Sequence, residues 1–377
     1  MAVYHLAAVC LFGLEKFVGE EIDEIGGVRT GTIDGRVFFD GDETVIAKAN
    51  IHLRTAERVL IELARFHAET FTELFDGVKA VSLEDFIGKR DAFPVKGHSI
   101  RSKLFSIPDC QSIIKKAMVE RLKKVYRTDW FEESGTKLQF EFLILNDEVS
   151  LMLDTSGVTL HKRGYRTEAG EAPLRETLAC ALVKIARMRE NVRLWDPFCG
   201  SGTIVLEAAL LMTNTAPGLY RHFAAERYGF LSDDLFGKAR EEALSSIRAD
   251  TAFRAVGTDN DRNVLKTAEA NAARAKMGRF VSFHAADARD LASDGIRTTI
   301  VTNPPYGERM ETIKDARLLY RAIGKNFPAL APWQIYILTS EEEFETLYGQ
   351  KADKVRKLYN GMIPCRFYQY YKQNSRD

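Results

Sequence analysis

The chain lacks the usual marks of a metal site or a disulfide scaffold. Its five cysteines (Cys10, Cys110, Cys180, Cys199, Cys365) are odd in number, lie far apart and form no CxxC pair. That pattern suits a reducing compartment. The seven histidines are scattered, and none falls at ligand spacing from another histidine or a cysteine, so no structural metal is expected. No uninterrupted apolar stretch approaches the roughly 20 residues that a transmembrane helix needs. The opening run MAVYHLAAVCLFGLEKF has no basic region ahead of its apolar residues, and Glu15, Glu20 and Glu21 follow directly. A signal peptide is therefore not expected, and a cytoplasmic protein is. Excess charge of one sign is missing too. With 53 basic and 53 acidic residues the formal charge is zero, so any contact with a polyanion must come from local clustering.

What is there is an ordinary globular composition, 45% hydrophobic and 28% charged over 377 residues, with room for two or three domains. Residues 1 to about 155 alternate short strand-like and helix-like stretches. Tyr4 to Leu11 reads as a strand, Glu15 to Ile25 as a helix closed by Gly26-Gly27, and Val37 to Phe39 as another strand. Leu138, Phe140, Phe142 and Ile144 alternate with other residues before Asn146-Asp147 turns the chain into Val149, Leu151 and Leu153, a hairpin pattern. No glycine-rich cofactor loop interrupts this half, which suggests an α+β recognition module.

Between those strands the sequence is locally basic. Lys96, Arg101, Lys103, Lys115, Lys116, Arg121, Lys123, Lys124 and Arg127 are opposed in that window only by Asp109 and Glu120, with Phe105, Tyr126 and Trp130 interspersed. Such a run is either the solvated face of a helix or a phosphate-tracking surface. The polar stretch Thr155 to Glu171 then reads as a boundary, followed by a helix with Pro173 at its first position and Leu174, Leu178, Leu182 and Ile185 on its apolar face.

From there the text becomes strand, glycine turn, helix, strand, helix, strand. Val192 to Trp195 runs into Asp196; Thr203 to Met212 is apolar all round, as a helix buried against a sheet would be. Ala255 to Gly257 leads to Asp259 and the helix Asn263 to Ala275. Phe280 to Phe283 leads to Asp287, and Thr299 to Thr302 to Asn303. Successive strands thus deliver an Asp or Asn to their carboxyl ends, where open α/β sheets bind ligands. A final strand pair is expected from Ile335 to Leu338 and LYNGMIPCRFYQYY, with Asn360-Gly361 at a turn.

DPFCGSGT (Asp196 to Thr203) places Gly200 and Gly202 where the backbone must turn sharply and approach a ligand. A nicotinamide fold uses similar turns, but Val205 stands where its third glycine is usual, and an acidic residue precedes the loop. That combination favours S-adenosylmethionine, which has no phosphate to cradle and an ammonium end that Asp196 can meet. Asp259 can accept both ribose hydroxyls, and Asp287 suits the adenine amino group; each could equally be a turn or cap residue, as Asp261 is expected to be for the Asn263 helix. TNPPYGER (Thr302 to Arg309) is the sharpest feature. An exocyclic base amine is a poor nucleophile, because its lone pair is delocalised into the ring. Asn303 offers a side-chain acceptor for its hydrogens, Pro304 a backbone carbonyl in a stiffened turn, and Tyr306 a face for a flipped base, a contact worth about 1–3 kcal/mol. Positioning against a cationic donor suffices for such chemistry, without a metal. Cys199, inside the glycine loop, is expected to pack as a small apolar residue rather than act as a nucleophile.

With these motifs in hand, the chain resembles the THUMP-domain RNA methyltransferases, in particular the large-subunit ribosomal RNA guanine-N2-methyltransferase-like group. FGLE (Phe12 to Glu15), LHKRGYR (Leu160 to Arg166), APLRETLA (Ala172 to Ala179), DPFCGSGT, APGLYR (Ala216 to Arg221) and NPPYGER (Asn303 to Arg309) carry the likeness over nearly the whole length. The resemblance implies an α/β fold: a Rossmann-like class I S-adenosylmethionine methyltransferase domain at 172–377, preceded by an α+β ferredoxin-like region at 1–65, a THUMP RNA-binding region at 66–156 and a linker at 157–171. It implies that Asp196, Gly200, Gly202, Asp259, Asp287 and Asn303 border S-adenosylmethionine, that Asn303, Pro304 and Tyr306 form the acceptor site, and that the N-terminal region binds RNA, for which the basic run makes Lys96, Arg101, Lys103, Lys115, Lys116, Lys123 and Lys124 the candidate contacts. Bifunctional members carry a second methyltransferase domain, for which this chain leaves no room, so one methylation is expected. The leading expectation is guanine-N2 methylation of 23S ribosomal RNA. Alternatives are the same reaction on transfer RNA, a protein-glutamine or DNA amino methyltransferase, a non-catalytic RNA-binding factor and a nicotinamide dehydrogenase.

Overall fold

The computed structural model describes residues 2–166, 174–306 and 310–371, and the chain divides into two compact units. The first comprises Met1–Cys10, Val18–Leu160 and Arg221–Glu242. Its elements are β1 (Tyr4–Cys10), α1 (Glu15–Glu24, which belongs to it from Val18), β2 (Val28–Ile33), β3 (Arg36–Gly41), α2 (Glu43–His52), β4 (Ala56–His67), α3 (Phe71–Ala80), β5 (Val95–Ile100), α4 (Ile107–Tyr126), β6 (Phe140–Leu145) and β7 (Glu148–Asp154). They build one sheet in the order β2-β3-β1-β4-β7-β6-β5, antiparallel except for β5 on β6. The twelve-residue β4 makes this a single sheet: its first half pairs with β1 and its second half with β7. The expected hairpin is present. Asn146 and Asp147 take φ of +52° and +66°, the left-handed pair that a tight turn between twisted strands demands.

The second unit comprises Leu11–Phe17, His161–Tyr220 and Ala243–Asp377. Its elements run α5 (Glu176–Ala186), β8 (Arg193–Asp196), α6 (Thr203–Met212), the end of α7 (Leu235–Ser245, which belongs to the first unit as far as Glu242), β9 (Ala255–Asp259), α8 (Arg262–Arg274), β10 (Val281–Ala285), β11 (Thr298–Thr302), α9 (Met310–Ala329), β12 (Gln334–Thr339), α10 (Phe344–Tyr348), β13 (Lys354–Asn360) and β14 (Ile363–Tyr371). The sheet order is β10-β9-β8-β11-β12-β14-β13. The first five strands are parallel and the last two antiparallel. α5 begins at Glu176; Pro173, assigned above to its first turn, lies outside the described residues. α6 is buried on every side but Leu211, and its fully buried Glu207 is met by Arg163 at 3.4 Å and the Tyr165 hydroxyl at 3.1 Å. A buried carboxylate survives only with such partners. Both LHKRGYR residues are thus structural anchors of α6.

Candidate active site

β8 ends at Asp196, β9 at Asp259 and β11 at Thr302, with Asn303 next. Because these strands are parallel, the side chains gather on one edge. β8 and β11 are neighbours although β9 follows β8 in sequence, so the edge contains the point where strand order reverses, the usual ligand crevice of an open α/β sheet.

Asp196 is 1% exposed. Its Oδ1 accepts from the Thr302 hydroxyl at 2.6 Å and from the Phe198 N–H at 3.1 Å; no described residue donates to Oδ2. Burial lifts this carboxyl to about 7 against the pull of the two hydrogen bonds, and the charge of Asp259 adds to the rise. The following loop turns through Gly200 and Gly202, with φ of +51° and +86°. A Cβ on Gly202 would lie 3.0 Å from the Phe283 ring, so both backbone and space require glycine there. Gly200 N–H donates to Asp259 Oδ2 at 3.0 Å, and Asp261 N–H donates to Oδ1 at 3.0 Å. Each carboxylate oxygen keeps a lone pair for a further donor. From α8, buried Asn271 donates to the Ser201 carbonyl at 3.0 Å, and Arg274 donates to Asn271 Oδ1 at 2.8 Å. The loop is therefore held before any ligand arrives.

The other loop residues sort cleanly. Asp261 caps α8, accepting from Asn263 N–H at 2.8 Å. Cys199 is buried over Gly257, and burial pushes its thiol far above the ordinary value, so it packs and does not react. Asp287 is more committed than its neighbours. Its Oδ1 accepts from the Arg289 N–H and Nε, both at 2.9 Å, and this pairing holds its carboxyl below the usual range.

The acceptor loop follows β11. Pro304 is buried, while Asn303 and Tyr306 are half-buried. The Tyr306 hydroxyl donates to Asn303 Oδ1, and burial raises the phenol so that it stays protonated. The Asn303 amide is thereby oriented. Tyr320, fully buried on α9, donates to the Pro305 carbonyl at 2.8 Å and meets the Thr339 hydroxyl at 3.1 Å. Gly307, Glu308 and Arg309 of the motif lie outside the described residues. The structure thus brings Asp196, Gly200, Gly202, Asp259 and the Asn303–Tyr306 loop to one edge. Thr302, Asn271 and Tyr320 were not read from the sequence. Thr302 carried the only local signal, as the strand residue just ahead of the acceptor motif.

The basic window of the first unit needs a correction. It is not opposed by Asp109 and Glu120 alone. Lys96 pairs with Glu141 at 3.3 Å, Lys103 with Glu69, Lys115 with Glu133 at 2.6 Å, Arg121 with Glu84, and Lys123 with Glu120 at 3.4 Å. Four of these five carboxylates come from outside the run of basic residues. Exposed Arg101, Lys116, Lys124 and Arg127 have no carboxylate partner among the described residues. Of the interspersed aromatics, Tyr126 donates its hydroxyl to the Ile87 carbonyl at 2.5 Å, while Phe105 and Trp130 stay exposed at 79% and 80%.

Comparison with known proteins agrees with this architecture. The family model described as RMKL-like, methyltransferase domain matches residues 163–369, more than half of the chain. The chain belongs to this RMKL-like methyltransferase family. Ahead of that domain, an RlmL ferredoxin-like domain matches residues 5–60 and a THUMP domain residues 68–154. YpsC of Bacillus subtilis (strain 168), described as a candidate RNA methyltransferase, is 41% identical over 375 residues, covering 99% of this chain and 97% of that protein. A structure from Listeria monocytogenes, described as a predicted N6-adenine-specific DNA methylase, superposes with a TM-score of 0.94 at 41% identity and covers 99% of this chain and 97% of that one. The candidate methyltransferase SMU.472, solved in complex with SAH, superposes with a TM-score of 0.93 at 36% identity and full coverage of both chains. Among the described residues no helix is long and apolar enough to cross a membrane, and no group of three His, Cys, Asp or Glu could hold a metal ion.

Proposed function

We propose that this RMKL-like methyltransferase moves the methyl group of S-adenosylmethionine to the exocyclic amino nitrogen of a base in RNA, with guanine N2 of 23S ribosomal RNA as the substrate. The observation that carries the reading is the Thr302–Asp196 hydrogen bond. It ties the acceptor loop to the cofactor loop across adjacent strands, so a donor held by one faces an amine held by the other.

The residues fit S-adenosylmethionine. Asp196 Oδ2, buried and without a described donor, suits an ammonium group; the two spare lone pairs of Asp259 suit a vicinal diol. Asp287 accepts three bonds from Arg289, two at Oδ1 and one at Oδ2, which leaves a single lone pair on Oδ2 for an adenine amine and makes it the weakest of these contacts. When bound, the donor supplies an electrophilic methyl on a sulfonium. Asn303 Oδ1 and the Pro304 carbonyl accept the two amine hydrogens and aim the nitrogen, and the Tyr306 hydroxyl keeps the Asn303 oxygen turned toward the loop. With the donor bound, the nitrogen so held would take the methyl as its bond to sulfur breaks and would give one proton to water, the sulfur departing as the neutral thioether.

The THUMP match and the description of YpsC support RNA as the acceptor; guanine N2 and 23S ribosomal RNA rest on the motif likeness. The description of the Listeria structure favours a second reading, an adenine amine in DNA. Nucleoside mass spectrometry of ribosomal RNA, transfer RNA and DNA from strains with and without the gene separates them. Loss of N2-methylguanosine from 23S RNA alone is expected. Loss confined to transfer RNA, or to N6-methyladenine in DNA, would overturn the assignment.

A further inference from the structure

The edge hairpin of the second unit lies outside the residues assigned above to the methyl donor. β13 and β14 pair antiparallel up to Asn360 opposite Ile363, with Gly361 (φ +63°) and Met362 at the turn. Met362 is 95% exposed, the most exposed large apolar side chain among the described residues, and Ile363 beside it is 40% exposed. One exposed methionine is ordinary on a protein surface. Its location is what matters. Cys365 of β14 reaches the Tyr306 hydroxyl at 3.9 Å, and Met362 lies three residues further along the strand, about 10 Å away at the usual rise. The tip therefore stands beside the acceptor loop.

The same hairpin is locally cationic. Lys351, Lys354, Arg356 and Lys357 are accompanied only by Asp353 between Lys351 and Asn360. Lys351, Lys354 and Lys357 are exposed, and none of the four basic groups pairs with a carboxylate among the described residues. Arg356 lies over the Phe17 ring at 5.3 Å and Lys357 over Tyr359 at 5.4 Å. Tyr359 in turn meets Phe12, which is 52% exposed, edge to face at 5.9 Å. The hairpin beside the acceptor loop therefore carries an apolar tip, Lys354 and Arg356 on the face that Cys365 turns to Tyr306, and Lys357 with the Tyr359–Phe12 pair on the other face, Lys354 lying about 20 Å along β13 from Asn360.

A base reaches such a site only when turned out of its stack. Proteins that unstack bases commonly insert an apolar side chain between them, while cations hold the neighbouring phosphates. We propose that the β13–β14 hairpin opens the RNA: Met362 enters the gap left by the turned-out base, and Lys354 and Lys357, on the two faces of β13, hold phosphates to either side of the hairpin. This rests on the RNA base-amine reading of the site. Met362 acts as a positioning residue, remote from the reacting atoms.

The test uses the full-length protein, radiolabelled S-adenosylmethionine and total RNA from a strain lacking the gene. Met362→Ala should lower kcat about tenfold, the size of one lost stacking contact, with KM for RNA little changed. Met362→Leu should restore most of it. The double variant Lys354→Glu, Lys357→Glu should raise KM for RNA and flatten its salt dependence by one to two units of slope, with kcat kept. Calorimetric affinity for S-adenosylmethionine should be the same in all three. Wild-type turnover in Met362→Ala overturns the proposal, whatever the lysine variant does. Wild-type protein that labels no RNA removes the functional reading itself and this inference with it, and the two failures are told apart before any variant is made.

Discussion

The carboxyl edge of the second sheet and helix α4 of the first unit both stand out in the sequence, yet folding treats them in opposite ways. On the edge, residues as distant as Asp196 and Thr302 come within hydrogen-bond reach, and the motif residues gain a shared geometry. On α4, a run that looks strongly basic is largely neutralised by Glu84, Glu120 and Glu133. The difference lies in what each pattern constrains. A glycine turn or a proline-stiffened loop restricts the backbone itself, so its meaning survives folding. A count of charges along a window restricts nothing, because the partners arrive from elsewhere in space.

The largest effect should come from the edge. Asn303→Ala removes an acceptor for the amine hydrogens, and turnover should fall by roughly 10²–10³, as for loss of one preorganised polar contact in an active site. Calorimetric affinity for S-adenosylmethionine should stay nearly constant. Undiminished turnover would reduce the edge to a structural motif and erase the contrast with α4.

A smaller effect tests Asp196 by pH. Its carboxyl is raised to about 7 by burial, so it is mostly neutral at pH 6 and mostly ionised at pH 8. An ammonium partner needs the ionised form. Affinity for S-adenosylmethionine should therefore climb about fivefold from pH 6 to 7, pass a maximum between 7 and 8, and fall again as the ligand's own amine deprotonates near 8. Without ligand the sign reverses. A carboxyl whose folded value is raised favours the fold at low pH, and that contribution is lost between about 4 and 7 as pH rises. Asp196→Asn should abolish the acid limb of the binding profile. A flat wild-type profile across that limb would show that Asp196 does not meet the ammonium group.

How much could be read beforehand follows the same division. The strands that carry Asp196, Asp259 and Asn303, the almost wholly buried α6 and the Asn146-Asp147 hairpin were legible, because apolar runs and turn residues mark them locally. β2 was not: five of its six residues are exposed, so it has no apolar alternation and is a strand only through its pairing with β3. The membership of Arg221–Glu242 in the first unit was equally hidden. Buried Arg221 donates to the carbonyls of Val158, Thr159 and Leu160 at 2.7, 3.1 and 2.9 Å, bonds that join residues some sixty positions apart. In the site, Tyr320 and Asn271 are single polar residues on ordinary amphipathic helices. Only the loops they support reveal their use.

The smallest expected effect separates lysines that a sequence count treats alike. Lys115 and Lys123 are held by Glu133 and Glu120, whereas Lys116 and Lys124 are exposed without a carboxylate partner among the described residues. If α4 faces RNA, the double variant Lys116→Gln, Lys124→Gln should weaken binding to total RNA and reduce the salt slope by about one to two. The variant Lys115→Gln, Lys123→Gln should change the slope much less, since each lysine already shares its charge with a carboxylate. The second variant should lose a little thermal stability instead, because Lys115 also donates to the Phe93 carbonyl at 3.0 Å and lies over the Phe93 ring at 3.4 Å. Salt titrations of RNA binding, read beside melting curves, check both halves. Equal slopes for the two variants would mean that pairing in the folded protein does not decide which cations RNA meets, and no change in either would move the RNA surface off α4.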